Sequence, residues 1–143
     1  MMAASEPWIT LGRNLDECLA LVRDRSREVY VAHEAGRPVG FIILNMQGAF
    51  IGYIQSVCVA AEARGHGVGT EIVRFAEARI FRDSPNTFLC VSSFNPRAKK
   101  LYESLGYRVV GEMPDYIVPG HSEILMRKTI APILEFRKQK KPR

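Results

Sequence analysis

Between Tyr53 and Ile80 the chain changes period across a glycine-rich bend, and this junction limits the possible folds more than any other feature. Up to Val59 the pattern is that of a strand. Beyond Gly65, Gly67 and Gly69, the residues Val68, Ile72, Val73, Ala76 and Ile80 recur at helical spacing. A strand running through glycines into an amphipathic helix belongs to an α/β domain. The bend also has a chemical use. The first N–H groups of a helix lack intrahelical partners, and the macrodipole adds partial positive charge there. Glycines permit positive φ and close approach of a phosphate. The backbone of Arg64, Gly65, His66, Gly67, Val68, Gly69 and Thr70 is therefore a candidate anion cradle, with the Arg64 and His66 side chains as further donors. The segment lacks the Lys-Ser/Thr ending of a P-loop, and its glycine spacing is not that of a dinucleotide fingerprint. Taken alone, it also reads as a tight turn whose glycines serve the backbone only.

The remaining elements fall around this junction. Trp8 to Leu11 reads as a short first strand. Asn14 or Asp16 caps a helix carrying Leu15, Cys18, Leu19 and Val22. Glu28 to His33 and Val39 to Asn45 read as a hairpin around Ala35-Gly36-Arg37-Pro38, and Phe50 to Val59 as a long strand. After the glycine helix, Ser84-Pro85-Asn86 marks a stop and Thr87 to Ser92 another strand. Asn95-Pro96 opens a helix with Ala98, Leu101, Tyr102 and Leu105 on one face, closed by Gly106. Tyr107 to Gly111 and Glu123 to Lys128 form a last pair of strands. The expected order is β-α-β-β-β-α-β-α-β-β on a mixed sheet, antiparallel at its start.

Residues 1–130 suffice for one domain, and the 143-residue chain shows no linker, repeat or low-complexity stretch. Hydrophobic residues make up 47% of the chain, enough for a core without a metal or disulfide. Cys18, Cys58 and Cys90 are too far apart for a zinc site, and their odd number argues against a disulfide framework. They read as reduced thiols in a protein of the cytoplasm, with no metal. No signal peptide or membrane-length apolar run is seen, so no membrane partner is expected. The net charge of +5 resides in Arg137 to Arg143, at the end of the basic tail 131–143; without those residues the chain is balanced. That tail reads as solvated and disordered. Nucleic acid is the lesser reading, because the body lacks aromatic residues interleaved with basic ones.

The glycine bend resembles the acyl-CoA signature of the GCN5-related N-acetyltransferase (GNAT) superfamily, Arg/Gln-x-x-Gly-x-Gly/Ala, at Arg64, Gly67 and Gly69. The stretch from Ser93 to Tyr107, SFNPRAKKLYESLGY, resembles the family's N-x-x-A-x-x-L-Y-E-x-x-G-F/Y segment. From Val57 to Tyr107 the pattern is most similar to that of bacterial ribosomal-protein N-terminal acetyltransferases. The resemblance implies a mixed, mainly antiparallel, twisted sheet with splayed central strands flanked by helices. It implies transfer of an acetyl group from acetyl-CoA to a primary amine of a small molecule, peptide or protein, and it allows a homodimer. Only one helix precedes the VYVAH strand, where the family has a strand and two helices, so the acceptor is left open.

By that resemblance, the backbone of Val57, Cys58 and Val59 would pair with the pantetheine arm as an added strand. The bend would hold the pyrophosphate, and Asn95 would contact the arm, although N-cap duty alone also explains it. Asn95 and Tyr102 lie seven positions apart, about 10 Å along one helical face. Tyr102 would then stand near the thioester sulfur as the catalytic residue. A neutral amine would attack the thioester carbonyl, which a backbone N–H such as that of Val57 would polarise. Where the bacterial relatives carry a glutamate, five residues before the asparagine, this chain has Cys90, a possible but poor base, and Gln55 in the preceding strand cannot serve. Glu123, His121, Asp115 and an ordered water all remain open as the base. The alternatives are another acyl donor or acceptor, or a non-catalytic acyl-CoA sensor.

Overall fold

A computed structural model of the chain describes residues 1–140. The regular elements are α1 (Leu15–Arg23), β1 (Glu28–Glu34), β2 (Arg37–Asn45), β3 (Tyr53–Val59), α2 (Val68–Ile80), β4 (Asn86–Ser92), α3 (Pro96–Ser104), β5 (Arg108–Pro114), β6 (Ser122–Thr129) and α4 (Ile133–Lys140). Six strands form one sheet in the order β1-β2-β3-β4-β6-β5. All neighbours are antiparallel except β3 and β4. The expected mixed, mainly antiparallel α/β sheet is what forms.

The parallel pair positions everything that follows. β3 and β4 pair only at Tyr53↔Phe88 and Ile54↔Leu89. Beyond Ile54 the register of β3 against β2 shifts, from Leu44↔Ile54 to Ile43↔Ser56, leaving Gln55 as a bulge. A bulge bends its strand. From Gln55 to Val59, β3 stays with β2 while β4 stays with β6, and the sheet opens between them. These are the splayed central strands.

One sheet face carries the main core. Ile42, Leu44, Ile54, Leu89, Val91, Ile124 and Met126 pack against Ile72, Val73, Ala76 and Ile80 of α2. Tyr102 and Leu105 of α3 pack on the rim of the same cluster. Alternation along the strands then turns Cys90, Ser92, Glu123 and Leu125 to the opposite face. A second, smaller cluster on that face joins Met2, Trp8, Cys18 and Cys58.

Three expectations change. Trp8 to Leu11 is not a strand. Its backbone turns on itself, with Ile9 N–H donating to the Ser5 carbonyl and Leu11 N–H to that of Pro7. Burying Trp8 beside Cys58 holds the segment, while Ile9 stays exposed. The strand expected from Phe50 begins at Tyr53, because Gly52 sits at φ +88°, outside the strand region. The tail expected to be disordered from residue 131 instead forms α4, anchored by buried Phe136. Its end, 141–143, lies outside the described residues. No helix among the described residues is long and apolar enough to cross a membrane.

Candidate active site

The opening between β3 and β4 continues into a groove of about 1370 Å³. One end is the glycine bend. Gly65 and Gly67 adopt φ +79° and +85°, and nothing lies within 4 Å of where a Cβ would stand on either. Gly67 is the N-cap of α2, so no side chain caps that helix. The contrast within the molecule is informative. Asn14 closes α1 with a full capping box, and Asn95 Oδ1 accepts from Ala98 N–H at 3.2 Å to close α3. The helix that points into the groove is left with open amides.

Arg64, Gly65, Gly67, Val68, Gly69 and Thr70 all line the groove, whereas His66 is exposed and does not. The Arg64 side chain is engaged locally. Its Nε donates to the Val59 carbonyl at 3.0 Å and an Nη to Ser5 Oγ at 3.1 Å. Arg64 thus ties the end of β3 and the amino-terminal segment to the bend. Val57 and Val59 line the groove and also pack on the main core, so the two roles read for them coexist. Cys58 lines the groove too, but its side chain is buried on the opposite face, and burial pushes its thiol pKa up.

Asn95 and Tyr102 both reach the groove from α3. Tyr102 lies edge-on to Tyr107, with ring centroids 5.8 Å apart. Burial pushes its phenol pKa up to about 12, so it stays protonated at any ordinary pH.

The far half of the groove draws on residues that sequence reasoning did not single out. The amino-terminal segment supplies Glu6, Trp8 and Arg13; β3 supplies Tyr53 and Gln55; the β5–β6 connection supplies Tyr116 and Ile117. Of the bases left open, Cys90, His121 and Glu123 line this half, and Asp115 does not. Desolvation raises the Cys90 pKa, which disfavours a thiolate base. Desolvation and the adjoining Cys90 raise that of Tyr53. Asp115 instead binds the Gly120 N–H at 2.7 Å within its loop. One signal was present in the sequence: Glu123 is a lone acid in the otherwise apolar start of β6, Glu123-Ile124-Leu125-Met126. Among the described residues no cluster of side chains could hold a metal ion.

Known proteins resemble this chain in sequence and in fold. An uncharacterized N-acetyltransferase of Methanocaldococcus jannaschii is 35% identical over 101 residues, covering 69% of this chain. The match spans 64% of that relative's length, just under two thirds. The blasticidin-S acetyltransferase of Streptomyces morookaense is 29% identical over 109 residues, covering 74% of this chain and 79% of its own. The crystal structure of an aminoglycoside 6'-N-acetyltransferase complexed with coenzyme A shares the fold, with a TM-score of 0.65 at 22% identity. That likeness covers 82% of this chain and 79% of the other. The family model for the acetyltransferase (GNAT) family matches residues 3–107, from the amino-terminal segment through the bend to Tyr107. With that match over most of its length, the chain belongs to the acetyltransferase (GNAT) family.

Proposed function

We propose that the protein transfers an acetyl group from acetyl-CoA to a primary amine. The observation that carries this reading is the uncapped start of α2, opening between two splayed strands. Amides of Val68, Gly69 and Thr70 have the place and polarity to hold the pyrophosphate. The empty Cβ positions at Gly65 and Gly67 leave room for it. Past Ile54, the β3 edge facing the groove has no β4 partner, so its backbone at Val57 to Val59 can pair with the amide-rich pantetheine arm. Asn95, whose Oδ1 is committed to Ala98, still has its amide N–H groups for the same arm. The residues present fit acetyl-CoA.

With the cofactor so placed, binding both substrates in one groove supplies proximity. The Val57 amide polarises the thioester carbonyl as negative charge develops there. The amine nitrogen forms its bond to the carbonyl carbon and the C–S bond breaks. Tyr102, with its phenol near 12, is a far weaker acid than a thiol near 8.5. Full proton transfer from Tyr102 to the leaving sulfur is uphill by about 5 kcal/mol. Tyr102 therefore stabilises the sulfur by donating a hydrogen bond, and the amine's own proton ends on the thiol.

The acceptor is an amine of a small molecule or of a peptide, and the relative named for blasticidin-S acetylation supports the former. Free cysteines, two of them buried, favour a reducing cytoplasm. A homodimer is the assembly the family pattern allows, and light scattering on the purified protein checks it.

Coenzyme A release from acetyl-CoA against a panel of amines and amino-terminal peptides tests the activity, alongside calorimetric titration with acetyl-CoA. Amine-dependent release supports it. Tight binding with no release from any amine would turn the reading to a sensor, and no binding at all would end it.

A further inference from the structure

Glu123 is 7% exposed, and among the described residues the one hydrogen bond to its carboxylate is from Ser92 Oγ to Oε1 at 2.5 Å. Among the described residues it has no cationic partner. The other buried acid, Glu77, shows the usual arrangement, paired with Lys128 Nζ at 2.8 Å. Burying a carboxylate without a cation costs stability. Such a group is kept where a charge arrives from outside, and Glu123 lines the groove.

Its surroundings define what arrives. Register pairs Ser92 with Glu123 across β4 and β6, and Cys90 with Leu125, so the acid stands among small and apolar neighbours on that face. The wall of this half of the groove includes Tyr53, Phe94, Tyr116, Ile117 and Leu125. Phe94 is steadied edge-on by His121, with centroids 5.1 Å apart. One buried carboxylate among aromatic and aliphatic walls suits a single cationic head on an apolar body. The other acid lining this half, Glu6, is exposed and already accepts from Thr10 N–H, so Glu123 is the buried carboxylate a cation would meet here.

We infer that Glu123, held by Ser92, binds the acceptor in its ammonium form, whose surplus proton leaves through the open groove to solvent before the neutral amine attacks, and that the acceptor class is a monoamine with an apolar or aromatic flank. This rests on the acetyl-transfer reading for its meaning, but it can be measured without turnover. The probes are 2-phenylethylammonium, the uncharged 2-phenylethanol and methylammonium, each titrated into wild type and Glu123→Gln by ligand-observed NMR at neutral pH. A charged hydrogen bond to a buried carboxylate predicts that wild type prefers 2-phenylethylammonium over 2-phenylethanol by about tenfold or more. Methylammonium, lacking the apolar body, binds more weakly still. Glu123→Gln keeps an acceptor for Ser92 Oγ and loses the preference for the charged probe. Equal wild-type affinity for ammonium and alcohol overturns the inference, and so does a preference that survives in Glu123→Gln. Equal affinity for methylammonium overturns the apolar-flank part. If the variant fails to fold, the wild-type comparison still decides. Acetyl-CoA titrated into the same samples separates the two readings: its failure to bind sinks acetyl transfer, whereas an absent ammonium preference with acetyl-CoA bound sinks only the role of Glu123.

Discussion

Gly69 separates the two uses of the glycine bend, because its backbone does not require glycine. It is the second residue of α2, outside the left-handed region that Gly65 and Gly67 occupy. A Cβ on it would meet Val59 Cγ2 at 3.6 Å and Leu101 Cδ2 at 3.9 Å, ordinary contact distances. Gly69→Ala therefore leaves the fold intact. Replacing a helical glycine removes unfolded-state freedom, worth about 0.5 kcal/mol here, and raises Tm by about 1–2 °C. The cofactor reads the same methyl differently. Val59, Gly69 and Leu101 all line the groove, so the methyl stands in the wedge where the diphosphate must approach the amides. Loss of one hydrogen bond to a charged phosphate is worth about 1.5–3 kcal/mol, a tenfold to hundredfold rise in Kd for coenzyme A. Differential scanning fluorimetry and calorimetric titration on one preparation measure both numbers. A variant that melts higher and still binds coenzyme A at wild-type affinity would show that the glycine serves the turn alone. A fall of several degrees would refute the packing argument instead. Gly67→Ala is the control: at φ +85° a side chain is strained, and stability drops by about 1–2 kcal/mol.

Tyr102→Phe lowers turnover about a hundredfold while coenzyme A affinity stays at the wild-type value, as steady-state rates and titration will show. The raised Tyr102 pKa has a defined sign. The folded state favours the neutral phenol, so its stabilising effect is whole below the ordinary value near 10 and lost as pH rises through about 12. Wild type should lose more Tm than Tyr102→Phe between those pH values, and Tyr102 ionisation should not limit the rate below about pH 11. Lys128→Met strands the buried Glu77, whose Oε1 already has no hydrogen-bond partner, and should cost about 3 kcal/mol, read as a lower urea midpoint at unchanged slope.

The fold was legible where local pattern and tertiary demand agree. The helices at Leu15–Arg23, Val68–Ile80 and Pro96–Ser104 carry both a cap or bend signal and an apolar stripe. Trp8 to Leu11 misled because four residues, three of them large and apolar, suit a short strand or a turn equally. Contact with Cys18 and Cys58, distant in sequence, decides between them. Phe136 was hidden in the same way: the charges around it suggest a solvated tail, and only its burial against the body reveals a helix.

The site divides along the same line. On the proposed reading its cofactor half comes mainly from two continuous stretches, Val57 to Thr70 and Asn95 to Tyr102, which carry the motifs of the family resemblance and line the groove. The acceptor half draws on the amino-terminal segment, β3, β4, β6 and the β5–β6 connection. Nothing local announces that Ser92 will face Glu123, 31 residues away, because strand register sets that pairing. The bulge at Gln55 links the halves. Without it, β3 would continue along β4 beyond Ile54, closing the passage from the bend to Glu123. If acetyl-CoA is held at the bend as proposed, its end of the groove depends on backbone amides and the acceptor end on side chains, so the second can change while the first is kept. The amino-terminal region, which carries a single α-helix before β1, lines the groove with Glu6, Trp8 and Arg13.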